Sequence, residues 1–119
     1  NPLAAKVAIA ALDVINDEDL ANNAQELGEL FRTEMNRVIA ATDLVNAVRG
    51  KGLLNAILIN DTEDSSTAWD ICMALKENGL LAKPTHGNII RFAPPLVMNK
   101  EQLMDCVAII EKTLMEFSK

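Results

Sequence analysis

Residues Thr85 to Leu96 read Thr-His-Gly-Asn-Ile-Ile-Arg-Phe-Ala-Pro-Pro-Leu, which combines a turn, a core strand and a strand stop. His86-Gly87-Asn88 has the composition of a turn. Ile89 to Ala93 has that of a short strand, rich in large apolar residues. Pro94 and Pro95 end the strand, because neither can donate a ladder hydrogen bond.

Arg91 is the one charged residue of this strand, and its neighbours Ile90 and Phe92 belong in a core. A guanidinium cannot lose its charge to escape burial, so it either faces solvent or meets an anion. An outward-facing strand residue is the commoner situation. A carboxylate clamp is the alternative, because the planar fork of arginine matches a carboxylate bidentately. The local residues leave both interpretations open.

The rest of the chain supplies helices around this strand. Periodicity and caps predict helices over 1–15, 18–40, 66–78 and from Asn99 onward, and strands over 44–48, 53–59, 80–83 and 89–93. This order lacks the regular alternation of a parallel βαβ array. It predicts an α+β fold, in which helices pack on one face of a small, largely antiparallel sheet. The other face is left for another domain.

Three of the helices carry a single apolar stripe that should face the core. The stripes are Leu20, Ala24, Leu27, Phe31, Met35 and Val38; Ala68, Ile71, Cys72 and Leu75; and Leu103, Val107, Ile110, Leu114 and Phe117. Gly28 indicates close packing. Glu26, Glu29, Arg32 and Arg37 are expected to form a solvated face. Trp69 is expected to be partly buried at a helix–sheet edge.

The first helix differs from the others, because it is apolar nearly all round and only Lys6 and Asp13 interrupt it. Such a helix requires burial on more than one side. A chain of 119 residues has little to wrap it with. One face is therefore expected to meet a partner that this sequence lacks.

Bulk composition excludes several classes of function. The chain has 119 residues, enough for one domain. Its net charge of −6 argues against nucleic acid and anionic membrane surfaces, which select basic patches. No apolar run is long enough to span a bilayer, and no targeting segment is visible. Cys72 and Cys106 lie in helical patterns typical of reduced core thiols in an intracellular protein.

Three local features are candidates for chemistry. Gly50-Lys51-Gly52 invites a phosphate-binding interpretation, but the full glycine-rich fingerprint leading into a helix is missing, and a bulge or bend between strands explains the glycines as well. The acids of residues 60–66 lack the spacing of a metal loop. His86 is the sole histidine, so a site of several imidazoles is excluded, and its neighbours offer no catalytic partner.

Three runs of sequence carry a resemblance across the whole chain. They are Arg49-Gly-Lys-Gly-Leu-Leu-Asn-Ala-Ile, Asn78-Gly-Leu-Leu-Ala-Lys-Pro-Thr-His-Gly and Ile90-Arg-Phe-Ala-Pro-Pro-Leu. Together they resemble the ornithine aminotransferases, which are class III, pyridoxal-phosphate-dependent ω-aminotransferases. The resemblance implies a single C-terminal small domain over residues 1–119, with 1–16 a helix linking it to a large domain. It also implies, with the missing initial methionine, a piece of a longer protein.

The chemistry implied by this resemblance is transfer of the δ-amino group of ornithine to 2-oxoglutarate, giving glutamate-5-semialdehyde and glutamate. The cofactor would be pyridoxal 5′-phosphate, held by the large domain. No lysine here matches the family's Schiff-base motif, so the chain alone is expected to be inactive and to hold no catalytic or cofactor-binding residue and no metal. The parent is expected to be a homodimer or a higher homo-oligomer. Its location is expected to be cytoplasmic, with the mitochondrial matrix as the alternative.

One site residue carries over from the family. Arg91 matches the small-domain arginine that reaches into the substrate cleft, pairs with a glutamate of the large domain, and is released to hold the α-carboxylate of a dicarboxylic substrate. Two other interpretations remain. A stand-alone module would use Arg91 and the Gly50–Gly52 loop to hold a small anion, but it should not expose an aliphatic first helix. A purely structural interaction domain would explain that helix but not Arg91.

Overall fold

Four helices and four strands follow one another in the predicted order: two helices, two strands, a helix, two strands and a helix. A computed structural model describes residues 1–118. The elements are α1 Pro2–Asp17, α2 Leu20–Ile39, β1 Val45–Lys51, β2 Leu54–Ile59, α3 Thr67–Glu77, β3 Lys83–Thr85, β4 Ile89–Phe92 and α4 Lys100–Phe117. The fold class, an α+β domain with a small antiparallel sheet, is confirmed.

The sheet has four strands in the order β1-β2-β4-β3, and each neighbouring pair is antiparallel. Successive side chains of a strand point to opposite faces. The buried set on β2 and β4 comprises Asn55, Ile57, Ile59, Ile90 and Phe92. These residues face the core formed with α2, α3 and α4, while no helix of residues 1–118 covers the other face. β4, which carries Arg91, is an inner strand.

The predicted core stripes of α2, α3 and α4 are buried, with one exception. Phe117 was wrongly assigned to the core: it is 38% exposed, because it lies in the last turn of α4, beyond the sheet. Trp69 was also expected to be more buried than it is. Its side chain is 58% exposed, since the buried face of α3 is formed by Ala68, Ile71 and Leu75.

The first helix, α1, has no buried residue. Its start is capped as predicted: the Asn1 side chain accepts a hydrogen bond from the backbone N–H of Leu3 at 2.9 Å. Leu3, Val7 and Leu12 are 74%, 62% and 60% exposed. The expectation that this chain cannot bury its own first helix is confirmed.

Two strands were predicted with wrong bounds, and both errors involve residues that are uncommon within strands, Gly50 and Pro84. β1 continues through Gly50 to Lys51, because Gly50 pairs with Asn55 and an added Cβ would lie 2.3 Å from the Asn55 Oδ1. The predicted strand over 80–83 lies instead at Lys83–Thr85. It includes Pro84, which is tolerated because β3 is an edge strand.

The polar face of α2 is also more than a solvated surface, contrary to expectation. Arg37 donates to both carboxylate oxygens of Glu111 on α4 at 2.8 Å and to Glu34 at 3.0 Å. Arg32 donates to the Oδ1 of Asn55 on β2 at 2.8 Å. Two arginines therefore tie α2 to its neighbours through charge-assisted hydrogen bonds.

Candidate functional site

The uncovered face of the sheet carries a set of basic side chains. Ile57 and Ile90 point into the core, so the alternate positions of β2 and β4 point outward. The register extends this face to the two outer strands. The exposed cations of this face, which we call the basic sheet face, are Arg49, Lys51, Lys83 and Arg91.

Arg91 lies in a row that crosses all four strands. Its Cα pairs with Lys83 on β3 and with Ala56 on β2, and Ala56 pairs in turn with Arg49 on β1. Directly opposed residues in an antiparallel pair lie about 5 Å apart at Cα. One side of Arg91 is therefore occupied by a second cation and the other by a methyl group.

Within the part of the chain that the structure describes, the positive charges of this face form no salt bridge. Among the described residues, the salt bridges involve Arg37, Lys76 and Lys112, and none involves Arg91 or Lys83. The strand positions of this face include no Asp or Glu, although the chain as a whole has a net charge of −6. The face therefore presents a concentrated positive field to solvent, and the planar Arg91 fork can bind an oxyanion such as a carboxylate bidentately.

A tight turn fixes the hairpin that holds Arg91 and Lys83. His86 and Gly87 have φ of 51° and 75°, and an added Cβ on Gly87 would lie 1.8 Å from the carbonyl oxygen of Glu63. Asn88 accepts a hydrogen bond from the Ile59 N–H at 2.7 Å. The hairpin therefore rests directly on the loop of residues 60–66, and only glycine fits at position 87.

The acids of that loop have structural roles. Asp61 accepts from the Thr67 hydroxyl at 2.5 Å and from the Thr62 N–H at 2.7 Å. These hydrogen bonds lower the pKa of Asp61, with the Thr67 hydroxyl contributing most. Over residues 1–118, no group of three or more His, Cys, Asp or Glu side chains is placed to hold a metal ion. Asp61 thus ties the loop to the start of α3.

The Gly50-Lys51-Gly52 segment is not a phosphate-binding loop. It ends β1 and begins a hairpin turn into β2, so no helix N-terminus follows it. Gly52 has a φ of 54°, as the bend interpretation expected, and its carbonyl oxygen accepts hydrogen bonds from Arg32 and Asn55. The glycines serve the turn, and only the Lys51 side chain belongs to the basic sheet face.

Neither cysteine is activated, and both are free thiols. Burial raises the pKa of Cys72 to about 11. Burial, helped by the charge of Asp105, raises the pKa of Cys106. A nucleophilic cysteine requires a lowered pKa, so these residues serve as core side chains. His86 is exposed at its turn.

A separate cavity of about 310 Å³ opens on the helix-covered side, with Leu53, Phe92, Pro94 and Cys106 in its wall. It contains neither Arg91 nor any lysine. The described lysines are all exposed: Lys6, Lys51, Lys76, Lys83, Lys100 and Lys112. A Schiff-base lysine is normally activated by desolvation in a pocket. The residues of this chain therefore do not fit pyridoxal phosphate by themselves.

Sequence reasoning identified Arg91 but missed Lys83 as its neighbour. The expected strand over 80–83 ended at Lys83, because Pro84 was taken as a strand stop. The signal lay in the turn: a hairpin centred on Gly87 pairs Thr85 with Ile89 and, two residues further out, Lys83 with Arg91.

No helix of residues 1–118 has the length and apolarity needed to cross a membrane.

Two of the known proteins to which this chain is similar are ornithine aminotransferases of animals. The chain is 56% identical over 115 residues to the mitochondrial ornithine aminotransferase of Drosophila melanogaster, covering 97% of this chain and 26% of the relative. It is 52% identical over 117 residues to that of Rattus norvegicus, covering 98% and 26%. The chain thus spans about a quarter of their length. Both names specify mitochondria, so the expected cytoplasmic location gains no support, and the mitochondrial alternative is consistent with them.

Solved aminotransferase structures share both the sequence and the fold of this chain. An acetylornithine aminotransferase from Elizabethkingia anophelis is 71% identical with a TM-score of 0.97, covering 98% of this chain and 30% of that chain. An ornithine δ-aminotransferase from Plasmodium falciparum is 42% identical with a TM-score of 0.91, covering 99% and 30%. Residues 1–114 match the family described as aminotransferase class-III. This chain belongs to the aminotransferase class-III family.

Proposed function

We propose that this chain is the C-terminal small domain of a pyridoxal-phosphate-dependent aminotransferase. In this proposal, the complete protein moves the δ-amino group of ornithine to 2-oxoglutarate, giving glutamate-5-semialdehyde and glutamate. The family membership and the ornithine aminotransferases among its relatives support it. The observation that carries it is Arg91, an exposed arginine on an inner strand of an uncovered sheet face, which forms no salt bridge with residues 1–118.

The proposed role of Arg91 is to hold the α-carboxylate of the dicarboxylic substrate. Its guanidinium can donate two parallel hydrogen bonds to one carboxylate. The exposed Arg91 is suited to exchange between a glutamate side chain of the large domain and a substrate carboxylate, because both are the same chemical group. This exchange would let one site accept ornithine in one half-reaction and 2-oxoglutarate in the other.

The larger domain is proposed to supply what this chain lacks. Pyridoxal phosphate, bound there through a lysine, would provide the electron sink for transamination. The exposed aliphatic surface of α1 supports an extensive contact with that domain, since a self-contained module would not leave Leu3, Val7 and Leu12 in water. This observation also disfavours the alternative of a stand-alone anion-binding module. We further propose that the complete protein is a homodimer or a higher homo-oligomer.

A second substrate is favoured by one specific comparison. The Elizabethkingia anophelis structure at 71% identity is named an acetylornithine aminotransferase. N-acetylornithine differs from ornithine by an acyl group on the α-nitrogen and keeps both the δ-amino group and the carboxylate. The Arg91 role is the same for either amino donor, so the choice between them is a question for the assay.

The test uses the complete protein that carries this chain. We expect transamination of 2-oxoglutarate with ornithine or N-acetylornithine, and no activity from the 119-residue chain alone. Arg91→Gln should raise the KM for 2-oxoglutarate roughly 10- to 100-fold, because the variant loses the charge-assisted pair with the substrate carboxylate. Lys51→Gln removes a charge elsewhere on the same face and should leave this KM nearly unchanged.

Three results would count against the proposal. They are no activity with either amino donor, activity of the 119-residue chain by itself, and an unchanged KM for 2-oxoglutarate in Arg91→Gln. Arg91→Lys adds a control for charge alone. Because lysine cannot form the bidentate pair, it should recover only part of the lost affinity.

A further inference from the structure

Asn78 is the one asparagine of this chain that is followed by glycine. The pair lies at the end of α3, where Asn78 is the C-cap residue and Gly79 follows with a φ of 91°. Gly79 is exposed, and a Cβ added to it would contact no other part of residues 1–118. No side chain therefore shields the backbone nitrogen of Gly79, and water reaches the pair.

An asparagine in this setting can lose ammonia without an enzyme. The Gly79 backbone nitrogen attacks the side-chain carbonyl carbon, Cγ, of Asn78 and forms a new C–N bond. The bond from Cγ to the amide nitrogen breaks, and ammonia leaves with the proton that the Gly79 nitrogen gives up. Water then opens the cyclic imide at either carbonyl, which gives aspartate or isoaspartate. Glycine favours the first step, because it has no Cβ to hinder its nitrogen.

The folded chain opposes this reaction at three points. Asn78 has a ψ of 4°, which turns the Gly79 nitrogen away from the Asn78 Cβ, whereas ring closure requires the two atoms to be nearly eclipsed. The Gly79 N–H donates to the carbonyl oxygen of Lys76 at 3.0 Å. The Asn78 amide nitrogen donates to the carbonyl oxygen of Ala74 at 3.1 Å and to the Thr113 hydroxyl at 3.0 Å, and these bonds fix the side chain.

Thr113 holds the amide from outside α3. Its side chain is buried on α4, and its hydroxyl donates to the carbonyl oxygen of Ile109 at 2.8 Å. Because that proton is already used, the hydroxyl oxygen serves Asn78 only as an acceptor. Lys112, also on α4, donates to the Asn78 Oδ1 at 3.3 Å. The two α4 side chains therefore contact both ends of the amide.

We propose that Asn78-Gly79 is a deamidation site of this protein, and that the Thr113 hydroxyl suppresses the reaction while α3 and α4 remain packed. Reaction requires local opening of this contact. The product then weakens the contact, because a carboxylate has no N–H to donate to Thr113 or Ala74. It also places a negative charge at the C-terminal end of α3, where the helix dipole disfavours it. Only the Lys112 contact remains available.

The test incubates the complete protein at neutral pH and follows the peptide that contains Asn78 by mass spectrometry. The aspartate and isoaspartate products have one mass and separate by chromatography, with Asn78→Asp as the aspartate standard. Folded wild type should deamidate at Asn78 at least about tenfold more slowly than the same protein in guanidinium chloride. Folded Thr113→Val should react roughly five- to tenfold faster than folded wild type, because it loses one hydrogen bond to the amide.

Two control variants separate the hydroxyl from general stability. Thr113→Ser keeps the hydroxyl and loses a methyl group, and Ile57→Val removes a buried methyl group on β2, outside the hydrogen bonds of Asn78. Both should deamidate within about twofold of wild type, since neither removes a hydrogen bond from the amide. Circular dichroism confirms that each variant is folded.

Three outcomes would overturn the proposal. Equal rates in folded and denatured wild type would show that the fold gives no protection, and this comparison requires no variant. A rate for Thr113→Val that equals wild type would remove the role of the hydroxyl. Equal acceleration in Thr113→Val and in either control would assign the protection to general stability. The readout is independent of transamination, so the result stands apart from the proposed function.

Discussion

Gly28 on α2 packs directly against Gly52 in the β1–β2 turn. A Cβ atom added to Gly28 would lie 1.9 Å from the Gly52 carbonyl oxygen. That oxygen also accepts hydrogen bonds from Arg32 and Asn55, so it is not free to move away. The contact sets the distance between the helix layer and the hairpin that begins the sheet.

This contact predicts that Gly28→Ala destabilises the chain. Alanine normally stabilises a helix interior by about 1 kcal/mol relative to glycine. Here the overlap with backbone should reverse the sign and lower the free energy of unfolding by about 1–3 kcal/mol. Asn36→Ala, at an exposed position of the same helix, should be neutral or slightly stabilising. Urea unfolding of both variants checks this, and a stabilised Gly28→Ala would refute the close contact.

The buried amide of Asn55 predicts a coupled effect with Arg32. Asn55 is 3% exposed, and its Oδ1 accepts from Arg32 at 2.8 Å. Arg32→Ala removes the Arg32 donor from a buried acceptor and should lower the free energy of unfolding by about 1–3 kcal/mol. A double-mutant cycle with Asn55→Ala should give a coupling energy of at least about 0.5 kcal/mol. Strictly additive effects would contradict the hydrogen bond.

Two carboxyl groups make stability depend on acid pH. The hydrogen bond from Arg37 lowers the pKa of Glu111 below its ordinary 4.5, and that from Thr67 lowers the pKa of Asp61 below 3.8. A lowered folded-state pKa gives stability that is present above the ordinary pKa and is lost as the pH falls through the folded-state value. The contribution of these two groups to stability should therefore be fully present above about pH 5 and decline below about pH 4.

Glu111→Gln isolates the Glu111 share of this decline. The variant should be less stable than wild type at pH 7, and the difference should shrink as the pH falls below the ordinary pKa of 4.5 and Glu111 itself takes up a proton. Thermal unfolding followed by circular dichroism across this range measures both curves. Glu63→Gln, in an exposed loop, serves as the control and should run parallel to wild type. A pH-independent gap for Glu111→Gln would refute the assignment.

The exposure of α1 predicts that its large side chains add little to the stability of this chain. Val7 is 62% exposed and Leu27 on α2 is 6% exposed. Val7→Gln should change the free energy of unfolding of the 119-residue chain by less than about 0.5 kcal/mol, whereas Leu27→Ala should lower it by about 2–5 kcal/mol. Binding of a hydrophobic dye should fall in Val7→Gln. An equally large loss in Val7→Gln would mean that α1 is packed within the chain.

Local sequence was sufficient to predict the helices and their buried faces. The apolar stripe from Leu20 to Val38 repeats with the helical period, and this period can be recognised without knowing which elements the helix packs against. The capping box of Asn99 and Gln102 likewise acts within one turn. The exposed α1 followed from its composition, because a short chain has too little apolar surface to bury a helix that is apolar nearly all round.

Strand ends and side-chain partners were less predictable, because they depend on neighbours distant in sequence. Pro84 and Gly50 discourage a strand locally, yet edge position and the Asn55 pairing include both in the sheet. The sequence predicted Arg32 and Arg37 to be solvated surface charges, because their partners Asn55 and Glu111 are distant in sequence and are brought within hydrogen-bonding distance only by the fold.

The sequence by itself determined the fold class and the core faces of the helices, because local periodicity predicts both, and a continuous motif was sufficient to make Arg91 a candidate site residue. Only the tertiary structure decided what surrounds Arg91. Antiparallel pairing brings Lys83 and Ala56 beside it, and the helices cover the opposite face. A one-residue shift of register would have turned Arg91 into the core, and no local pattern fixes that register; the packing of the hairpin turn and of the buried face does.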